Sequence, residues 1–88
     1  MDCTNEKVEI FQQIEKQSKI INTLYQIIDD IKNNGHLRDS VTNELLLIGK
    51  VDLIEFIKGQ PQQLIIIALE KTLLEEEKIL ININKQLG

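Results

Sequence analysis

Few side chains in this chain of 88 residues could carry out covalent chemistry. It has one histidine (His36), one cysteine (Cys3) and two serines, and these residues form no recognisable pair of nucleophile and base. A structural zinc site uses four ligands, and Cys3 with His36 would supply only two of them. We therefore expect a non-enzymatic protein with no metal, no cofactor and no small-molecule ligand.

The carboxylates are the other candidates for chemistry, and they occur in two short runs, Asp29-Asp30 and Glu75–Glu77. Neighbouring residues on a helix point about 100° apart, so neither run converges on one metal ion. We expect both runs to be solvated. Glu76 is the exception, because it falls in an apolar stripe between Leu73 and Leu80. It either reaches water at the rim of that stripe or pairs with a cation across an interface.

Charge and composition argue against nucleic acid and membrane as direct partners. The net charge is -4 and aromatic residues make up 3% of the chain, so it lacks both a basic stripe and stacking side chains for nucleic acid. The N-terminus has no apolar segment typical of a secretory signal, and the longest apolar run, Leu64–Leu69, is too short to span a bilayer. We expect a cytoplasmic protein.

Two breaks divide the chain, at 33–36 and at 59–61. Gly35 and Gly59 suit the left-handed residue that follows a helix, and Pro61 suits the first turn of the next one. The pattern predicts an all-α single domain over 1–88, a small three-helix bundle made of a helical hairpin and a third helix. A domain of this size is stabilised by only about 3 to 5 kcal/mol, so we expect oligomerisation to complete it. The predicted helices span about 5–33, 40–58 and 61–86.

The middle segment has two interpretations. Between Val41 and Ile57 the apolar residues spread almost all round a helical wheel, which favours a helix covered on most sides. Gly49 inside that helix would mark a close approach of another backbone. The alternative is an α+β fold with a short β-hairpin at about 45–57 that turns at Gly49-Lys50.

The first helix has one broad apolar face, interrupted by Gln17. Either Gln17 is partly exposed at the edge of a bundle, which we favour, or it is buried and fixes the register or the oligomeric state. The residues of this face are Ile10, Phe11, Ile14, Ile20, Ile21, Leu24, Tyr25, Ile27, Ile28 and Ile31.

The last helix carries two apolar stripes, although a small domain needs only one of them to face its own core. The main stripe contains Ile65, Ile66, Leu69, Leu73, Leu80, Ile83 and Leu87. The second, which we call the seam, consists of Ile67, Leu74 and Ile81 and lies about 140° away.

Charged residues flank the seam in a regular pattern. Each seam residue is followed four positions later by a lysine, and the first two are followed three positions later by a glutamate. These residues are Lys71, Lys78 and Lys85 on one side and Glu70 and Glu77 on the other. The pattern is typical of a short heptad seam with pairing charges and predicts a protein-interaction surface. The alternative is that the seam packs on the second helix of its own chain.

We therefore expect a helical protein-protein interaction module that self-associates, as a homodimer, and/or binds and regulates a larger protein partner. An antiparallel or four- to six-helix assembly is expected. A small phage or plasmid regulator with a DNA-binding helix-turn-helix is another candidate. Its recognition helix would need an exposed polar face that starts with Arg or Lys, and 60–67 lacks one.

One family resemblance concerns the architecture alone. A small acidic bundle with a long first helix, a turn at 34–39 and a later break at 59–61 is similar to the bacteriocin immunity proteins. The resemblance implies a bundle that protects a producer cell by recognising a toxin or receptor complex at the inner face of the membrane. That family has a fourth helix, which this sequence is expected to lack.

Overall fold

The computed structural model describes residues 3–34 and 39–86, and these residues form four α-helices and no strand. The all-α prediction is confirmed, and the hairpin alternative for 45–57 is wrong because that segment forms parts of two helices. The helices are α1 (Cys3–Asn34), α2 (Asp39–Leu47), α3 (Val51–Ile57) and α4 (Gln62–Lys85).

The middle segment is divided at Gly49, where a single helix was predicted. Gly49 has φ +77°, and the backbone N–H groups of Gly49 and Lys50 donate to the carbonyls of Leu46 and Leu45 at 3.0 and 2.9 Å. This pattern of two bonds is a Schellman motif, which ends α2. No close approach explains the glycine, because a Cβ added there would meet no atom within 4 Å. Gly59 has φ +75° and follows α3 as predicted, whereas Gly35 lies outside the described residues.

The two long helices form an antiparallel hairpin, and the two short helices cover one side of it. The Gln17 side chain donates to the backbone carbonyl of Glu76, and the Gln62 side chain donates to that of Ile31, so α1 and α4 run in opposite directions. Helix α2 packs on α1 and α3, and α3 packs on α4. The core between them is aliphatic: Ile21, Leu24, Ile27, Ile28, Ile31, Val41, Leu45, Ile54, Ile57, Ile65, Leu69 and Leu73.

The short helices are too short to cover the whole hairpin. At 1.5 Å per residue, α2 and α3 extend about 14 and 11 Å, whereas α1 and α4 extend about 48 and 36 Å. The described part of the molecule measures 52 × 21 × 20 Å. Residues 7–16 and 77–86 contain no buried side chain. We call this two-helix end the distal arm.

Candidate protein-interaction surface

Three polar side chains close the core where the distal arm begins. Gln17 and Glu76 are only 7% and 5% exposed. The Gln17 amide donates to the Glu76 backbone carbonyl at 2.9 Å and also to the Glu76 carboxylate. The Lys50 ammonium, which the turn at Gly49 brings to this level, donates to the other carboxylate oxygen. We call Gln17, Lys50 and Glu76 the polar bridge.

The polar bridge corrects two interpretations of the sequence. Gln17 is buried rather than partly exposed at a bundle edge. Glu76 does not reach water at a rim, and its cation belongs to its own chain rather than to another subunit. Burial raises the pKa of Glu76, but hydrogen bonds from Lys50 and Gln17 and the charge of Lys50 outweigh that effect and hold the pKa below its usual value. Glu76 is therefore ionised at neutral pH and compensated on both oxygens.

The seam on α4 faces solvent along its whole length. Ile67, Leu74 and Ile81 are 59%, 55% and 55% exposed. The main stripe on the same helix faces α1 and the short helices, with Leu69 and Leu73 buried. The alternative that the seam packs on the second helix of its own chain is therefore wrong.

The two flanks of the seam have different neighbours. On the acidic flank, Glu70 lies 3.9 Å from Lys32 of α1, and Glu77 accepts a 3.5 Å hydrogen bond from the Tyr25 hydroxyl. On the basic flank, the three lysines are exposed and make no ion pair or hydrogen bond with any described residue. They are Lys71, Lys78 and Lys85.

A groove between α3 and α4 continues the apolar surface beyond the basic flank. It has a volume of about 370 Å³, and Phe56 and Leu64 on its walls are about half exposed. A second depression of about 610 Å³ beside Lys50 shares part of its lining. The groove is lined by Leu53, Phe56, Leu64, Ile67, Ala68, Lys71, Thr72 and Glu75.

Other exposed apolar side chains were not singled out from the sequence. On α2 they include Leu46 and Leu47, which is 85% exposed, and on the distal arm Val8. Phe11, which the sequence placed on the apolar face of the first helix, is 57% exposed as well. Leu47 and Phe56 belong to the apolar residues that spread all round the helical wheel of the middle segment. That spread was the sequence signal from which their exposure could have been found. That pattern was interpreted as a helix covered on most sides, whereas the two short helices are covered on one side only.

The described residues contain neither a group of metal ligands nor a membrane-spanning helix. No three His, Cys, Asp or Glu side chains among them are grouped to hold a metal ion. None of their helices is both long and apolar enough to cross a bilayer. His36, Leu87 and the side chain of Cys3 lie outside the described residues. In comparisons with known proteins, no family model, no curated protein and no solved structure matches this chain.

Proposed function

We propose that this protein is a non-enzymatic interaction module that self-associates, and/or binds and regulates a larger protein partner, through the seam of α4. The observation that carries the proposal is that Ile67, Leu74 and Ile81 are each more than half exposed on a helix whose opposite side forms the core. Contiguous exposed apolar surface in a soluble domain is typical of an interface. The proposed partner is protein, with no direct role for nucleic acid or a cofactor, and the proposed location is the cytoplasm.

Two adjacent leucines provide a matched test. Leu74 lies on the seam and is 55% exposed, whereas Leu73 is 7% exposed in the core. We expect sedimentation equilibrium to show that the wild type dimerises with increasing concentration. Leu74→Asp should remain monomeric with unchanged far-UV circular dichroism. Leu73→Asp should unfold, because it buries an unpaired charge.

Two results would count against the proposal. If the wild type stays monomeric up to its solubility limit, self-association through the seam is refuted. If Leu74→Asp unfolds like Leu73→Asp, the seam contributes to the fold rather than to an interface.

A bacteriocin-immunity role is the second candidate, and the number of helices favours it. The sequence was expected to lack the fourth helix of that family, but the described residues form four helices, with α2 and α3 packed on a long antiparallel pair. Under this proposal the same exposed apolar surface would bind a toxin or receptor complex at the inner face of the membrane.

Expression in a bacteriocin-sensitive strain separates the two candidates. Survival above the vector control that is lost with Leu74→Asp would support the immunity role. Full sensitivity to a panel of bacteriocins, with the protein present at a level confirmed by immunoblot, would argue against it and leave the interaction module. A fold control is again available in Leu73→Asp, which should fail to accumulate.

A further inference from the structure

We propose that two copies of this chain pair seam to seam with their α4 helices parallel. The inference rests on the proposed function and deepens it by naming one partner, a second copy, and its orientation. The observation behind it is that the two flanks of the seam carry opposite charges. The basic flank has Lys71 and Lys78, and the acidic flank has Glu70 and Glu77.

Symmetry leaves two ways for the seam to face itself. The two copies of a closed homodimer are related by a twofold axis, so the same surface is used on both. When two helices face each other, that axis runs either along them, which makes them parallel, or across them, which makes them antiparallel. A parallel pair brings each flank against the opposite flank of the other copy, whereas an antiparallel pair brings each flank against its own equivalent.

The spacing of the charges selects the parallel pair, which replaces the antiparallel assembly expected from the sequence. In that pair each seam residue faces its own counterpart, so Lys71 lies within one residue, about 1.5 Å along the axis, of Glu70 in the second copy. Lys78 has the same relation to Glu77. An antiparallel pair centred on Leu74 instead sets Lys71 beside Lys78 and Glu70 beside Glu77. Such like-charge contacts are unfavourable, and flanking charges are what fix orientation in helix pairs.

The existing contacts leave these charges available. Lys71 and Lys78 have no partner among the described residues. The acids contact α1 only through long, exposed interactions of 3.9 Å for Glu70 and 3.5 Å for Glu77. Exposed ion pairs contribute little stability, so the charges set the orientation while the apolar seam supplies the affinity.

The parallel arrangement also enlarges the interface. The three seam residues alone would bury less surface than the roughly 800 Å² per partner of a standard interface. The basic flank adjoins the groove between α3 and α4, and the acidic flank adjoins α1, where Tyr25 is half exposed. A twofold axis along the helices turns the Tyr25 side of each copy toward the groove beside Leu64 and Phe56 of the other. The antiparallel pair would set groove against groove.

Cysteine cross-linking distinguishes the two orientations. Ile67 and Ile81 are about 21 Å apart along the helix, and a disulfide needs Cβ atoms about 3.5 to 4.5 Å apart. In a Cys3→Ser background we expect Ile67→Cys to form a disulfide dimer with itself on oxidation, and Ile81→Cys to do the same. A mixture should yield no product between the two variants, which mass spectrometry of proteolytic fragments would detect.

Each alternative outcome has a separate meaning. Cross-linking only between Ile67→Cys and Ile81→Cys would show an antiparallel pair and overturn this inference while self-association stands. No cross-linking, together with a monomeric mass for the wild type, would overturn both this inference and the self-association it rests on.

Charge variants provide an independent check. Lys71→Glu with Lys78→Glu makes both flanks acidic, so a parallel dimer should dissociate with a Kd raised about tenfold or more. Adding Glu70→Lys and Glu77→Lys should restore the wild-type Kd. In an antiparallel dimer the first variant only replaces Lys–Lys contacts with Glu–Glu contacts, so an unchanged Kd would contradict the parallel pair.

Discussion

Replacing Lys50 by Met should destabilise the protein, because it leaves the buried carboxylate of Glu76 without its cation. The Glu76 side chain is 6% exposed and the Lys50 side chain 27% exposed. Breaking a fully buried pair costs about 3 to 5 kcal/mol and breaking a surface pair about 0 to 1 kcal/mol. Since Lys50 retains some contact with water, we expect the free energy of unfolding to fall by about 2 kcal/mol. The melting temperature would fall by about 8 to 16 °C.

A double-mutant cycle with Glu76→Gln isolates the pair. The glutamine removes the charge and has one acceptor oxygen where the carboxylate has two, so its amide nitrogen faces either the Lys50 ammonium or the Gln17 amide, which are both donors. This variant alone should therefore cost about 1 to 3 kcal/mol. In the Glu76→Gln background, Lys50→Met should cost less than about 1 kcal/mol. Urea denaturation followed by far-UV circular dichroism, at one protein concentration, measures all four proteins.

A surface pair at the C-terminal end of α3 is the control for the cycle. Lys58 lies 3.3 Å from Glu55, and both side chains are more than 60% exposed, at 63% and 69%. Lys58→Met should change the free energy of unfolding by less than about 0.5 kcal/mol. If Lys50→Met lowers the free energy of unfolding by the same amount in the wild type and in the Glu76→Gln background, Lys50 and Glu76 are not coupled. The account of the polar bridge would then be refuted.

Three further outcomes are expected. Because the folded-state pKa of Glu76 is lowered, its stabilisation is complete above the unfolded-state pKa of about 4.3 and is lost as pH falls through the lower folded pKa. The difference in unfolding free energy between wild type and Glu76→Gln should therefore shrink in acid. A difference that stays constant with pH would argue against a lowered pKa of Glu76 in the folded state. Gly49→Ala should cost about 1 to 2 kcal/mol at φ +77°, and Gly49→Asn less; equal costs would mean that backbone strain is not the cause. Gln17→Leu removes a donor to Glu76 and should cost about 1 to 3 kcal/mol, most of it recovered when Glu76→Leu and Lys50→Met are added, because no member of the polar bridge is then left unpaired; failure of that recovery in denaturation curves would show that packing dominates.

The long helices and the last break could be predicted because their signals are local. Gly59 and Pro61 together disfavour a continuous helix, and the seam follows from the periodicity of α4. Its exposure was left open by the sequence, because it depends on where α2 and α3 pack. The break at Gly49 is different, since a glycine within a helix costs only about 1 kcal/mol. In one continuous helix, Val41 and Ile54 would point about 140° apart, and the break at Gly49 allows both of them to reach the core.

The polar bridge shows why the rest of the site was not predictable. The position of Glu76 within an apolar stripe was visible in the sequence, and pairing with a cation was one of the two interpretations of that position. That the cation is Lys50 depends on the length of α2 and on the turn that ends it, and neither is encoded near Glu76. The same turn explains the burial of Gln17, because a side chain on α1 becomes part of the core only where another helix covers it.

The distal arm implies that the molecule does not unfold as one unit. Residues 7–16 and 77–86 contain no fully buried side chain, so their backbone amides should exchange with solvent through local opening, while those near Leu24 and Leu69 exchange only on global unfolding. Binding of another protein to the distal arm would order these helix ends, and the helix ends would lose conformational entropy. Slower amide exchange within the arm, with exchange in the core unchanged, would then report binding there.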